Sequence, residues 1–242
     1  MIAVTGAGGV MAGMLKAFLP DDTLYCTRLV WDVRKEPPRL PAEVDTVIHC
    51  AALTDHQHPN AGEIIETNIV GTMKVARYCR SLNLRLVYLS SSYVYAGETG
   101  NYRETDECRP IGAYAWSKYA GEGWAETVPD HLVIRGSWYS EDKLAQMAHG
   151  ALRDAWHSRD RPRAAAEKIA FLTMKGASGI YNIAGRRQTF YDLVFGEGIL
   201  PKGMTRAELN PKLPYPFPVD TSLNTERYEQ FVADQERRRH DP

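Results

Sequence analysis

The first twelve residues narrow the fold more than any other stretch of the chain. Ile2-Ala3-Val4-Thr5 is a short apolar run of strand character, Gly6-Ala7-Gly8-Gly9 follows, and Val10-Met11-Ala12 opens a helical pattern. A strand that turns on glycine directly into a helix is the first half of a βαβ unit. Gly6 permits the tight turn, Gly9 lets backbone approach a ligand, and Ala12 with Gly13 allows the helix to pack closely on its strand. The helix start then offers free N–H groups and a positive dipole end to a pyrophosphate. Glycine also serves turns that bind nothing, but here the strand–turn–helix heads a repeating βα series. Gly6, Gly8, Gly9, Val10 and Met11 are therefore the first candidates for holding a dinucleotide.

The series continues. Val10, Met14, Ala17 and Phe18 are expected on one buried helical face, with Pro20 as the stop. Thr23–Thr27 reads as a second strand, Leu29–Val33 as a short third one and Val44–Cys50 as another. Between Ala61 and Ser81, Ile64, Ile65, Ile69, Met73, Ala76 and Cys79 recur near the helical period. Leu84–Leu89 is a strand running into Ser90-Ser91-Ser92, Tyr114–Glu126 a helix and His131–Arg135 a strand. Alternation of this kind predicts an α/β fold: a Rossmann-type, doubly wound parallel sheet over residues 1–140. Residues 141–242 are expected to form a small substrate-binding lobe, part of which returns to the sheet. Lys143–Trp156 reads as one helix, Ala164–Lys175 as another and Gly179–Ile183 as a late strand. From Gly196 onward, prolines 201, 211, 214, 216 and 218 favour extended loops.

Composition removes several function classes. Lys and Arg number 29 against 30 Asp and Glu, for a net charge of −1, which argues against a general nucleic-acid binder. The run Arg237-Arg238-Arg239 reads as a solvated tail. No apolar stretch reaches the ~18 residues of a membrane span, and the start lacks the basic segment of a signal peptide. Cys26, Cys50, Cys79 and Cys108 form no CxxC pair and read as reduced thiols of a cytoplasmic protein. Asp55, His56 and His58 fit no standard zinc spacing, so no metal is expected.

Cofactor choice turns on the end of the second strand. An NAD site usually places an acid there, on the ribose 2′-hydroxyl; this chain has Cys26-Thr27-Arg28. Arg28 either pairs with a 2′-phosphate or is merely exposed, so NADP(H) is favoured and NAD(H) is the alternative. Asp32 is a candidate partner for the adenine amino group, or a turn carboxylate.

The chemistry is carried by Tyr114-Ala115-Trp116-Ser117-Lys118. Four helical residues turn about 400° and rise ~6 Å, so Tyr114 and Lys118 share a face. A Tyr hydroxyl can give a proton to a carbonyl oxygen while hydride reaches the carbon. A Lys ammonium beside it lowers the phenol pKa from ~10 and can also hold a nicotinamide ribose. A hydroxyl of the Ser90–Ser92 run, at a strand's carboxyl end, can bond the same carbonyl. Asn68 either orients a water for proton relay or bonds backbone at a helix kink.

With these residues in place the chain resembles the extended short-chain dehydrogenase/reductases, and most closely the dTDP-4-dehydrorhamnose reductase family of nucleotide-sugar ketoreductases. Val47-Ile48-His49-Cys50-Ala51-Ala52-Leu53-Thr54 is similar to the family's strand and loop beside the cofactor, and Asn68-Ile69-Val70-Gly71-Thr72 to its helical Asn block. Leu89-Ser90-Ser91-Ser92-Tyr93-Val94-Tyr95 is similar to its Ser/Thr block, in a register that makes Ser91 the catalytic hydroxyl. Tyr102, Glu104, Asp106 and Pro110 lead in the family's order to Tyr114, Lys118, Gly121 and Glu122. Arg135-Gly136-Ser137-Trp138 resembles the block after the sixth strand, where the Trp lies near the sugar, and Leu223-Asn224-Thr225 resembles a late motif. The resemblance implies catalysis by Ser91, Tyr114, Lys118 and Asn68. It implies cofactor contacts from Val33, Cys50, Ala51, Ala52, Thr54 and Ser90 besides those above, and substrate contacts from Ser92, Tyr93 and Trp138. It also implies a homodimer through the two central helices.

Within the superfamily, sugar dehydratases place an Asp-Glu pair after the catalytic hydroxyl, where this chain has Ser92 and Tyr93. NAD(P)H-dependent reduction of a keto group on a nucleotide-linked deoxysugar is the expected activity. A nucleotide-sugar epimerase that retains NAD is one alternative, and a non-catalytic NADP-binding regulatory subunit is another. Cys108 is a candidate for the substrate-facing Cys of an epimerase-reductase. The family's Asp-Gln-x-Gly-x-Pro-Thr block is replaced by Arg159-Asp160-Arg161-Pro162-Arg163, in which Arg161 and Arg163 either hold a nucleotide diphosphate or lie in a solvated loop.

Overall fold

A computed structural model describes residues 1–54, 60–139 and 141–240. Asp55, His56 and His58 lie outside the described residues. In chain order the elements are β1 (Ile2–Thr5), α1 (Val10–Leu15), β2 (Leu24–Cys26), β3 (Thr46–His49) and α2 (Ala61–Ile64). A π-helical turn (Ile65–Val70) carries α2 into α3 (Gly71–Ser81). Then come β4 (Arg85–Leu89), α4 (Ala113–Glu126), β5 (His131–Arg135), α5 (Glu141–Met147), β6 (Ala151–Leu152) and β7 (Trp156–His157). The chain ends with α6 (Pro162–Met174), β8 (Gly179–Asn182), β9 (Gln188–Thr189), α7 (Phe190–Gly196), β10 (Gly203–Met204), α8 (Arg206–Leu209) and α9 (Glu226–His240).

Six strands pair in the order β2-β1-β3-β4-β5-β8, all parallel. Because side chains alternate across a strand, each strand feeds two cores. Val4, Ile48, Val87 and Leu132 lie in register and pack beneath α1 and α6. Ala3, Val47, Leu86 and Val133 face the opposite layer, against Val75, Ala76 and Cys79 of α3 and Ala125 of α4. A sheet buried on both faces explains the β-rich, nearly unbroken apolar strands. Strand order reverses between β1 and β3, and at such a switch point the carboxyl ends open a crevice. The segments after residue 140 divide: α6 and β8 complete the sheet, while β6, β7, β9, β10, α5, α7 and α8 build around small clusters centred on Tyr139, Leu193 and Val194 and on Leu152 and Phe190. No helix among the described residues is long and apolar enough to cross a membrane.

Four expectations need correction. Leu29–Val33 is not a strand: the N–H groups of Val30 and Trp31 bond to Thr27 O as a turn, Leu29 is fully exposed, and the sheet ends at β2. Helix α1 buries Met11, Ala12 and Leu15, leaving Val10 and Met14 exposed, because it packs on α6. Lys143–Trp156 breaks near Gly150, after which Ala151–Leu152 pairs with Gly203–Met204, and Trp156–His157 with Gln188–Thr189. The region after Gly196 is not all extended: Asn224 Oδ1 accepts from Glu226 N and starts the fifteen-residue α9, on which Arg237 pairs with Asp234. Along α2–α3, Ile64, Asn68 and Thr72 lie on the buried side at four-residue spacing, while Ile65 is exposed.

Helix α4 crosses β4 so closely that a Cβ at Gly121 would stand 2.1 Å from Tyr88 Oη, whereas one at Gly123 would meet nothing within 4 Å. Alanine normally gains about 1 kcal/mol over glycine inside a helix. The two sites therefore respond oppositely: Gly123→Ala raises urea-unfolding stability by about 0.5–1 kcal/mol, and Gly121→Ala lowers it by about 1–3 kcal/mol through overpacking. Equal effects would contradict this packing.

Candidate active site

At the switch point Gly6 adopts φ +67°, and a Cβ there would lie 2.7 Å from the backbone of Ala51. This one position thus holds the turn after β1 against the loop after β3. Gly9 N donates to Gly6 O at 2.9 Å. Gly8 has open space where a side chain would be, and the N–H groups of Val10, Met11 and Ala12 have no acceptor among the described residues. The ribbon of backbone is open to a pyrophosphate, as the expected cofactor requires. Cys50 and Ala52 border it half-buried; burial raises the Cys50 thiol to about 12, so it stays protonated.

Past β2, both oxygens of Asp32 are taken by Arg34, at 2.9 and 2.6 Å, with Arg28 Nε at 3.5 Å. The Arg34 hydrogen bonds hold this carboxylate well below its ordinary range. Asp32 is thus committed to organising two arginines rather than open to an adenine amino group. Arg34 escaped the sequence reading because its pairing depends on the turn at Thr27. Beside it lies a cavity of about 530 Å³ lined by Asp32, Arg34, Lys35, Glu63 and Glu66 among others. The Val33 side chain is core, packed on Gly71 of α3, so only its backbone remains for a ligand.

Tyr114 and Lys118 are both buried on the inward face of α4. The Tyr114 hydroxyl hydrogen-bonds the Ser91 side chain at the end of β4, and Ser91 Oγ also accepts from Tyr93 N at 3.2 Å. Lys118 Nζ lies 4.3 Å from the Tyr88 ring centroid. Burial pushes Lys118 down to about 7, against the opposing pull of Glu122 and Cys50. The expected lowering of the phenol does not occur in this state. Burial raises Tyr114 to about 12, eased by the Ser91 hydrogen bond, and the cation that acts on it is Arg159 rather than Lys118.

Asn68 sits in the π turn with its amide fully engaged. Oδ1 accepts from Leu53 N at 2.8 Å, and Nδ2 donates to Leu53 O and to Ser117 Oγ, each at 2.9 Å. Of the two readings of Asn68, the geometry supports the kink: it ties the loop after β3 to α4. Ser90 turns its hydroxyl to Glu122, which is also gripped by Arg135 at 2.7 Å, so that hydroxyl is unavailable to a cofactor.

A cavity of about 700 Å³ is lined by Thr54, Tyr93, Arg159, Phe190 and the Pro214–Pro218 segment among others; Ser91, Tyr114 and Lys118 do not line it, and Tyr93, whose N–H donates to Ser91 Oγ, links them to it. Tyr93, expected at the substrate, and Thr54, expected at the cofactor, both line the cavity. Ser92 is fully buried and Trp138 packs against the core under α1 and α6; neither lines this cavity. Arg161 pairs with Glu197 and Arg163 lies over Phe18, both outside it. Cys108 is half-buried, and burial raises its thiol to about 11.

Comparison with known proteins follows the same lines. A family model described as RmlD substrate binding domain matches residues 1–170. The dTDP-4-dehydrorhamnose reductase of Mycobacterium tuberculosis is 34% identical over 150 residues, covering 57% of this chain and 49% of that protein. The chain thus spans about half the length of this relative. The dTDP-4-keto-6-deoxy-D-glucose reductase of Streptomyces niveus is 30% identical over 216 residues, covering 78% of this chain and 75% of that protein. The crystal structure of dTDP-4-dehydrorhamnose reductase from Bacillus anthracis in complex with NADP superposes with a TM-score of 0.82 at 19% identity, covering 95% of this chain and 92% of that one. On the family match and the Streptomyces relative together, the chain belongs to the RmlD substrate binding domain family.

Proposed function

We propose that this protein is an NADPH-dependent ketoreductase of a nucleotide-linked 4-keto-6-deoxysugar. The observation that carries the reading is the buried Tyr114–Ser91 hydrogen bond, with Ser91 also bonded to Tyr93 of the 700 Å³ cavity wall. In this reading residues 1–140 hold the cofactor and 141–242 supply most of the substrate wall. The backbone of Gly6–Met11 receives the pyrophosphate, Arg28 and Arg34 the 2′-phosphate, Ala51, Ala52 and Thr54 line the passage inward, and Lys118 holds the ribose. When bound, the cofactor supplies the hydride for the carbonyl carbon.

The chain's own residues handle the oxygen. Ser91 bonds the carbonyl oxygen through its hydroxyl, and Tyr114 delivers a proton to that oxygen as negative charge develops on it. A phenol at about 12 is fully protonated at neutral pH, which is the form a reductase needs before each turnover. Lys118, raised back toward its charged form by an anionic ligand, stabilises the phenolate left behind. Asn68 acts through Ser117 and the α4 backbone, as a positioning residue. The chain works in the cytoplasm in this reading. It pairs with a second copy through the central helices, where Ile65, Trp116 and Tyr119 present exposed apolar surface.

Incubation with a panel of nucleotide 4-keto sugars is expected to consume NADPH, followed by its absorbance. Tyr114→Phe should reduce kcat by about 10²–10⁴-fold while leaving NADPH affinity nearly unchanged. Silence across the panel from folded, NADPH-binding protein would count against the reading.

The double substitution Arg28→Gln with Arg34→Gln should weaken NADPH binding by about tenfold or more, the loss of charge-assisted hydrogen bonds to a phosphate. NADH binding should change less than about threefold, because it lacks that phosphate. Equal losses for both cofactors in a fluorescence titration would argue that the arginines do not read the 2′-phosphate.

Lys118 also leaves a signature in stability. Its pKa is lowered from 10.5 to about 7. Between those values the folded chain holds the amine neutral while the unfolded chain holds it charged. Stability therefore rises with pH across that window, at up to about 1.4 kcal/mol per unit from this group. Lys118→Met should stabilise the protein at pH 7 in urea unfolding, with a gain that shrinks toward pH 10, and should abolish turnover. A gain independent of pH would show that Lys118 is not held neutral by burial.

A further inference from the structure

The basic run Arg159-Asp160-Arg161-Pro162-Arg163 sends its three arginines in three directions. Arg161 donates to Glu197 Oε1 at 2.8 Å, and Arg163 lies 4.9 Å over the Phe18 ring. Arg159 alone lines the 700 Å³ cavity. Three contacts place it there. Its backbone N–H donates to His157 Nδ1 at 3.0 Å, its guanidinium lies 4.9 Å over the Phe190 ring, and Nη2 donates to Tyr93 Oη at 3.0 Å. His157 is itself fully buried, 4.4 Å from Phe190, and burial with the charge of Arg159 keeps it neutral, so Nδ1 stays an acceptor.

What Arg159 lacks is a counter-charge. Asp160, its sequence neighbour, is taken by Lys168 at 2.6 Å, and no carboxylate among the described residues pairs with Arg159. Elsewhere in the molecule, the buried Arg135 is matched by Glu122, and the partly buried Arg34 and Arg85 by Asp32 and Asp130. Much of the remaining lining is apolar, with Ile111, Leu152, Phe217 and three prolines, and its other cation, Lys143, is exposed. A guanidinium has five donors in a planar fork, and one of them is spent on Tyr93. An unpaired cation half-buried in such a wall is costly unless a ligand supplies the anion.

We propose that Arg159 is the anion anchor of the substrate cavity, receiving an oxyanion of the substrate on the donors not used by Tyr93. The inference rests on the reductase reading only for taking this cavity as the substrate site. The oxyanion is a phosphate of the nucleoside diphosphate or a carboxylate on the sugar. Because Tyr93 N also donates to Ser91 Oγ, Tyr93 links the anchor Arg159 to the hydroxyl that bonds the carbonyl.

The test is calorimetric titration of the full chain, with NADP present, by dTDP against thymidine and by D-glucuronate against D-glucose. The unsubstituted protein should bind at least one anion tenfold or more tighter than its neutral counterpart. Preference for dTDP identifies the phosphate and preference for glucuronate the carboxylate. Arg159→Gln should erase that preference, Arg159→Lys should keep part of it, and Arg161→Gln and Arg163→Gln should stay within twofold. Retained NADP binding by each variant shows that it is folded. The inference is overturned if Arg159→Gln keeps the preference, if Arg161→Gln loses it equally, or if neither anion binds better than its neutral counterpart. No turnover is needed, so failure of the reductase reading on the sugar panel is a separate result.

Discussion

The site depends on a chain of hydrogen bonds that runs under it and fixes the distance between the cofactor end of the sheet and the catalytic helix. Ala51 N donates to Thr5 Oγ1 at 3.3 Å, and Thr5 Oγ1 to His49 Nδ1 at 2.7 Å. His49 Nε2 then donates to Thr72 Oγ1 at 3.0 Å, and Thr72 Oγ1 to Asn68 O at 2.7 Å. Asn68 Nδ2 reaches Ser117 Oγ, which donates to Tyr114 O at 2.7 Å. Every bond has a direction, and the directions agree only if His49 is neutral with its proton on Nε2. Burial, aided by the charge on Lys118, keeps it so, at about 3. An imidazolium in that place would present a donor to Thr5 and break the order of the chain. Ile64, Asn68 and Thr72, spaced four residues apart, share the buried side of this helix, which is what lets the last step reach Ser117.

A second balance is electrostatic. Tyr114, Lys118 and Glu122 follow one another at intervals of four on α4, all buried. Glu122 is bound bidentately by Arg135 and bonded by Ser90, so its charge is largely consumed below the site. Lys118 is therefore left with the Tyr88 ring and only a partial share of Glu122. Functional sites commonly hold such unfavourable groups, stabilised by the structure around them. Here the surrounding structure is β3, β4 and α4, buried in the cores of the sheet.

Much of this was legible in the sequence, and the reason differs from element to element. β1, β4, β5 and β8 were readable because they are buried on both faces, so apolar β-rich runs and strands coincide. Leu29–Val33 has the same composition but no neighbour beyond β2, and pairing rather than propensity makes a strand. The face of α1 was misjudged because packing on α6 buries Met11, Ala12 and Leu15, and leaves Val10 and Met14 on the other side. α9 carries few apolar residues in a strongly charged stretch, and its start is set by Asn224, which looks like any loop residue. Tyr114 and Lys118 share the buried side of α4, as their four-residue spacing implied, and Tyr114 bonds Ser91. Arg34 and Arg159 could not be found that way, because each acquires meaning only from a partner far from it in the fold or in an unforeseen turn.

The two halves of the site are therefore held by different means. The groups placed on the carbonyl and on the cofactor come from strand ends and from α4, fixed by main-chain pairing and by the buried chain through His49. The cavity wall comes from Tyr93, Arg159, Phe190 and the Pro214–Pro218 segment, whose supporting clusters are small and separate from the sheet cores. Changes in that wall can alter which molecule is admitted without moving Tyr114 against Ser91. Prolines suit this role, since they stiffen a segment that has no sheet or helix to do so. Arg159 is the point where the halves meet: its backbone is set by His157 in the lobe, while its guanidinium ends on Tyr93, two residues from Ser91. A charge placed at that junction can couple the fit of a substrate in the variable wall to its alignment on the fixed one.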